Sequence, residues 1–348
     1  MKYNQPNNWI RKSLFGLGIF LYRVGLANAV ISLSSNRVRA LLYHAVDPKT
    51  TDWTEGLGVN VTPEEFAANL DFFKAYYNVI DVMDTVADEL PKRPLVITFD
   101  DGYQSVADYA APALIERAMP ATVYLISRAD NGELVWVNLL NRALRHDPEK
   151  AFEVTRTIPE LANKNTSEEV MRTVQEEFRP QAIEALCEKL VAKLSLDELT
   201  PDEPLYMSRE TIQALQKQNI HFGFHTKDHF NMSLCAQDDL AKQLDSANIA
   251  DCMDSDSFAY PFGYFNQQAV EQVESKDYHR IMTVGNNNAR FSALHTDRIE
   301  VFTANPAQVF AHIEVVEPVI SLLRRIVLTV KGSYNTHAPT STAHNENA

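Results

Sequence analysis

Two adjacent carboxylates at the end of an apolar run, Thr98-Phe99-Asp100-Asp101-Gly102, are the first residues in this 348-residue chain whose types suggest chemistry. Successive side chains on a strand point to opposite sides, so paired aspartates can divide labour, one holding a cation while the other takes a proton. By itself the triplet Asp-Asp-Gly is equally a solvated turn. A second group, His225-Thr226-Lys227-Asp228-His229, sets two imidazoles four residues apart, a spacing that puts both on one side of a helical turn and within reach of one ion. Imidazole with carboxylate suits zinc and its transition-metal neighbours, although two histidines in a polar loop can also be unrelated. A third segment, Phe258-Ala259-Tyr260-Pro261-Phe262-Gly263-Tyr264, carries an apolar strand into a Pro-Phe-Gly turn. Its Tyr260, Pro261, Phe262 and Gly263 are candidates to wall a sugar face or an acetyl methyl.

Elements of alternating type must position these groups. Arg39 to Val46 reads as a buried strand that ends in polar chemistry at His44. Thr62-Pro63-Glu64-Glu65 combines a capping threonine, a first-turn proline and a glutamate three places on, which announces a helix whose buried face carries Phe66, Leu70, Phe73 and Tyr77. A short strand over Tyr77 to Val82 and a strongly buried one over Pro94 to Phe99 follow, the latter delivering Asp100 and Asp101 to its C-terminal end. A helix from about Ser105 to Arg117 leads to the strand Ala121–Ile126, an alternation that fits an α/β barrel or a doubly wound sheet, both of which work at their strand C-termini. From about residue 137 to 200 the pattern is helical and charged, which reads as an insertion that shapes or covers a cleft. Strands resume at Ile220–His225 and Ser257–Pro261, so each of the three chemical groups stands at a strand end.

In this order and setting, the three motifs resemble those of the polysaccharide deacetylase (NodB-homology, carbohydrate esterase) family: Thr-Phe-Asp-Asp-Gly, His-Ser/Thr-x-x-His and a Pro-Tyr/Phe-Gly turn. The resemblance runs from about Leu41 to Val301 and includes Tyr43-His44-Ala45-Val46 and Pro120-Ala121-Thr122-Val123-Tyr124-Leu125. It implies an α/β fold, a distorted, incomplete (β/α) barrel here bearing a helical insertion. It also implies a metal-dependent hydrolase that removes acetyl groups, N-acetyl first, from an acetylated oligo- or polysaccharide or a glycan precursor. Carried over by motif, Asp101, His225 and His229 would hold a divalent metal, zinc first, with cobalt or nickel as substitutes, and Asp100 would be the base that activates water. A backbone N–H near Pro261–Gly263 or the insertion would meet the oxyanion. The same water could attack another small amide or ester, and a weakened glycan-binding protein on this fold is the reading from outside enzymes.

The match has two gaps. Many family members carry an arginine that orients the catalytic aspartate, two residues before the motif's proline, where this chain has Ala259, so something else must orient Asp100. The family's general acid is a histidine in a late Leu-x-His motif, for which His295 is the nearest candidate and His44 a rival by position.

Composition bounds the rest. The formal charge of −14 repels phosphate backbones and excludes nucleic acid as a partner. Cys187, Cys235 and Cys252 form no Cys-x-x-Cys pair, which leaves buried thiols. Residues 1–37 read as an amphipathic helix or a signal-like segment, 38–316 as the catalytic domain with its insertion, and 317–348 as a second amphipathic helix, Pro318–Lys331, with a polar disordered tail. The basic, apolar N-terminus leaves two expectations open: a cytoplasmic protein with peripheral association at the inner membrane, or export if residues 1–29 are a signal peptide.

Overall fold

The computed structural model describes residues 8–195, 199–284, 293–301 and 303–323. Ten strands follow in chain order: β1 (Arg39–Tyr43), β2 (Ala45–Val46), β3 (Asn60–Val61), β4 (Asn78–Val79), β5 (Pro94–Phe99), β6 (Ala121–Leu125), β7 (Ile220–Phe224), β8 (Ser257–Ala259), β9 (Arg280–Val284) and β10 (His295–Glu300). Seven of them, in the order β1, β10, β9, β8, β7, β6, β5 and back to β1, form a parallel ring closed by the pairing of Arg39–Tyr43 with Leu95–Phe99. This is the distorted barrel implied by the motifs, one strand short of the eight of a regular (β/α)8 barrel. β4 adds two residues to β5 at its start, where Val79 meets Leu95. The expected strand over Tyr77–Val82 is thus shorter than its apolar run suggested. The expected single strand Arg39–Val46 also breaks, because at His44 the chain leaves the barrel and β2 pairs with β3 instead.

A two-residue period assigns each strand's faces. Ala40, Val96, Tyr124, Ala259 and Met282 fill the barrel interior, while Leu41, Ile97, Val123, Phe222, Phe258 and Ile281 face the helices. Gly223 lies on the interior face, where a Cβ would stand 2.7 Å from the Tyr124 ring and from Ser257 Oγ, so only glycine admits that tyrosine.

The helices are α1 (Asn8–Arg23), α2 (Ala27–Leu33), α3 (Pro63–Tyr76), α4 (Ala111–Glu116, entered through a π turn at Val106–Ala110), then α5 (Trp136–His146), α6 (Pro148–Thr155), α7 (Ser167–Glu177), α8 (Pro180–Leu194) and α9 (Arg209–Gln216) between β6 and β7, and α10 (Gln237–Gln243), α11 (Gln267–Glu274) and α12. α12 starts at Pro306 and continues through a π segment, Ala311–Val316, to Leu323. The capping box at α3 forms as read: Thr62 Oγ1 accepts from the Glu65 amide at 3.2 Å and Glu65 accepts from the Thr62 amide at 3.0 Å. The helical insertion is real and begins at Trp136. The remainder of the expected helix Pro318–Lys331 beyond Leu323, and the polar tail after it, lie outside the described residues.

α1 lies against α12 at close range, since a Cβ on Gly18 would meet Ala311 Cβ at 2.5 Å. α12 is in turn fixed to the barrel by a buried ion pair. Arg39 at the start of β1 donates from Nε to Glu314 Oε1 at 2.7 Å and from Nη2 to Oε2 at 3.1 Å, while Tyr77 Oη and Arg37 donate to the same carboxylate. Neither Arg39 nor Glu314 reaches solvent through its side chain. Breaking such a pair strands a charge in a low-dielectric interior. Glu314→Ala is therefore expected to destabilise the protein by about 3–5 kcal/mol, read as a lower midpoint in urea unfolding, with an unchanged slope.

Candidate active site

The site lies at the C-terminal ends of β1, β5, β7, β8 and β10 and in the loops that follow them, as expected for a parallel barrel. Immediately after β5 the backbone of Asp101 (φ 73°) and Gly102 (φ 72°) enters the left-handed region. That turn places Asp100 and Asp101 on one cavity instead of on opposite faces. A Cβ at Gly102 would approach Leu125 Cδ2 to 2.9 Å, so glycine meets both the backbone and the space requirement.

The two histidines do not sit on a helical turn. Residues 225–229 form an irregular loop in which Thr226 (φ 71°) and His229 (φ 60°) are left-handed. The loop is secured on all sides: Thr226 Oγ1 accepts from the His229 amide at 3.1 Å, the Thr226 and Lys227 carbonyls accept from the Ser127 and Arg128 amides, and Asp228 pairs with Arg128 Nε and Gln243 Nε2. Trp136, at the root of the insertion, donates its indole N–H to the His229 carbonyl at 2.9 Å. This buried tryptophan therefore braces a site residue through its backbone.

The ligating atoms converge. His229 Nε2 lies 3.2 Å from Asp101 Oδ1 and 3.2 Å from His225 Nε2, and His225 Nε2 lies 3.7 Å from the same Asp101 oxygen. His225 Nδ1 is 2.7 Å from the Ala259 carbonyl, which makes Nδ1 the protonated nitrogen and turns the Nε2 lone pair inward. Burial lowers the pKa of His225, and burial together with His225 lowers that of His229 further, so both rings are neutral. Asp101 Oδ1 is a buried oxygen that accepts no hydrogen bond. Burial and then the neighbouring Asp100 raise the Asp101 carboxyl to about 8. An orphaned oxygen, two inward lone pairs and a carboxyl that resists ionising alone together fit a divalent cation, and these donors are of the kind zinc takes.

Asp100 is held in the opposite state. Burial alone would raise it, but Arg298 from β10 donates Nη1 to Oδ1 at 2.6 Å and Nη2 to Oδ2 at 2.7 Å, and with His225 and His44 this holds the carboxyl down to about 2. The guanidinium is buried inside the barrel, over the Tyr124 ring and against Thr98 Oγ1. The orienting arginine missing at Ala259 is thus supplied from two strands away, by a residue that no motif marked.

The cavity above these groups is lined by His44, Leu57, Val59, Tyr103, Val137, Tyr260, Phe262, Gly263, Val284 and Glu300. Phe262, left-handed at φ 56°, packs its ring edge-on to His229 at 4.4 Å. Gly263 is fixed by φ 69° and by the Val284 carbonyl, 2.4 Å from where a Cβ would be. Pro261 stays outside the lining, and the amides of Gly263 and Tyr264 are spent within the turn on the Tyr260 and Pro261 carbonyls, so neither serves an oxyanion. His295 does not enter the cavity either. It begins β10 on the outward face, stacked on Tyr260 with Nε2 3.5 Å from that hydroxyl and Nδ1 3.5 Å from Glu274. His44 does line the cavity, but burial first, and then Arg298 and His225 against the pull of Asp100, lower it to about 4. Glu300, at the end of β10, belongs to none of the three sequence motifs. Burial and Asp100 raise its carboxyl to about 7, so a group that lines the cavity can carry a proton near neutral pH.

The family described as "Polysaccharide deacetylase" matches residues 87–281, more than half of the chain. Among curated proteins, none matches. The fold is shared with a Streptococcus pyogenes deacetylase, PplD, solved in complex with acetate (16% identity, 81% of this chain and 100% of that one, TM-score 0.53). It is shared also with IcaB from Ammonifex degensii (18% identity, 80% and 97%, TM-score 0.50). The family match, on a seven-stranded parallel barrel with a buried Asp-His-His cluster at its working end, establishes that this chain belongs to the polysaccharide deacetylase family of hydrolases.

Proposed function

We propose that this protein removes acetyl groups, N-acetyl first, from a polysaccharide or glycan precursor, with Asp101, His225 and His229 holding a divalent metal, zinc before cobalt or nickel. The observation that carries the reading is the convergence of three buried acceptor atoms beside an aspartate kept ionised by its own arginine. When bound, the cation supplies Lewis acidity, lowering the pKa of water and polarising the acyl carbonyl. Asp100 takes a proton from the attacking water while Arg298 fixes its plane. As the carbonyl carbon gains the water oxygen and loses the C–N bond, Glu300 delivers a proton to the departing amine, leaving acetate and a free amino sugar. His44, neutral, faces the same space as a hydrogen-bond partner.

The cavity suits the small acyl group and its neighbour suits the polymer. Space above the ligands is ≈ 70 Å³, enough for a few waters where one needs about 10–15 Å³. Leu57 also borders a far larger cleft of ≈ 1200 Å³ along α7, with Arg145, Lys164, Arg172, Glu176 and Tyr264 on its walls. That cleft supports an oligomeric or polymeric acceptor.

Acetate release from N-acetylglucosamine oligomers by zinc-loaded protein tests the proposal, and no release from any acetylated glycan would sink it. Asp100→Asn is expected to lower kcat by about 10²–10⁴ while retaining one metal per chain, whereas His225→Ala loses metal and activity together. Arg298→Met removes the charge that keeps Asp100 low, so burial raises that carboxyl and the acid limb of the rate profile moves to higher pH, with a loss of about 3–5 kcal/mol in unfolding. Glu300 acts in its protonated form, so wild-type kcat/KM falls as pH rises through its pKa. Glu300→Gln is expected to cost about 10²-fold at neutral pH and to abolish that alkaline limb.

A further inference from the structure

The most exposed large apolar side chains are not scattered. Of the ten among the described residues, Trp9, Leu17, Phe20, Leu33, Leu322 and Leu323 lie on α1, α2 and the end of α12, and Val24 and Leu26 lie in the turn between α1 and α2. Trp9, Phe20 and Leu33 expose 67%, 59% and 89% of their surface, where a water-soluble face would carry polar residues. On α1 the helical period puts Trp9, Leu17 and Phe20 in one stripe, which Val24 continues just past the helix end, with the exposed Lys12 and Arg23 along one flank. The opposite face, including Gly18, is taken up by α12.

Charge identifies what this stripe meets. The first 46 residues hold no Asp or Glu; of their six Lys or Arg, Arg11, Arg37 and Arg39 pair with Glu317 and Glu314, while Lys12 and Arg23 stand exposed beside the stripe, in a chain whose net charge is −14. Arg324 and Arg325 directly follow Leu322 and Leu323 in the sequence. Aliphatic and aromatic side chains flanked by cations match an anionic lipid surface, with tryptophan suited to the headgroup level. At 16 residues α1 is about 24 Å long, short of the roughly 30 Å hydrocarbon core, and it is tied to the domain by the 2.7 Å pair of Arg11 with Glu317. α12 has the length and hydropathy of a membrane span, but half of it is buried in the protein and it carries Glu314 in the barrel's ion pair.

We propose that α1, with α2 and the end of α12, is an in-plane docking surface that seats this protein on an anionic membrane. The domain is carried there as one body, because the Arg39–Glu314 pair locks α12 to β1.

Flotation of the full-length chain with vesicles tests this. Binding is expected to vesicles containing phosphatidylglycerol, to weaken in high salt, and to be far lower with phosphatidylcholine alone. The double variant Leu17→Glu/Phe20→Glu should lose vesicle binding about tenfold or more, while its thermal unfolding and acetate release stay at wild-type values. Failure of the wild type to float with anionic vesicles, or equal flotation of the double variant, overturns the proposal. So does a wild-type dimer in light scattering that becomes monomeric in the double variant without either protein binding lipid, since the stripe would then belong to a second copy of this chain.

Discussion

Two carboxyl groups in sequence, both removed from water, cannot both ionise without compensation, and the working end of this barrel is arranged around that constraint. Asp100 receives a guanidinium, bonded through both of its oxygens, and is ionised at any ordinary pH. Asp101 receives nothing from the protein at Oδ1 and faces two neutral imidazoles. Two aspartates with the same covalent structure thus stand in unlike states, because one has a guanidinium built against it and the other meets only neutral rings. The rest of the site serves that difference: the left-handed turn at Asp101–Gly102, the Ala259 carbonyl that sets the His225 tautomer, and the Trp136 indole that steadies the His229 backbone.

Much of this was legible in the sequence because it rests on local pattern. The apolar run before Asp100, the capping box at Thr62 and the four-residue histidine spacing are all short-range signals, and each led to the right region. What they could not carry was backbone detail and long-range pairing. The histidines meet through a left-handed loop, so the spacing was informative although the helical turn inferred from it was not formed. Arg298 pairs with an aspartate 198 positions away, a relation no local pattern holds. Its strand did contain a usable clue. In β10, residues 298 and 300 share the inward face by alternation and His295 falls on the other, so strand parity argued against that histidine and for Arg298 and Glu300. Residue type points to histidine as a proton donor, whereas burial raises the carboxyl of Glu300 into the same range, an effect no sequence pattern carries.

The substitution of one arginine position for another is a physical equivalence more than a loss. The guanidinium beside Asp100 enters the barrel interior from the inward face of β10. With Ala259 on β8 small, the space is filled from β10, and Tyr124 provides the ring on which the planar cation lies.

The closure of the ring between β1 and β10, together with the grip of Arg39 on Glu314, bears on how the chain reaches this structure. The contacts that complete the barrel join residues more than 250 positions apart, and the Asp100–Arg298 bond is itself formed by the last strand. A nascent chain emerging at roughly 5–20 residues per second would hold β1 and β5 with one edge open until β10 and α12 had been made. High contact order of this kind slows folding and prolongs exposure of unpaired strand edges. The reactive centre is therefore among the last features to exist in the life of each molecule, and an incomplete chain carries the two aspartates without the arginine that tells them apart.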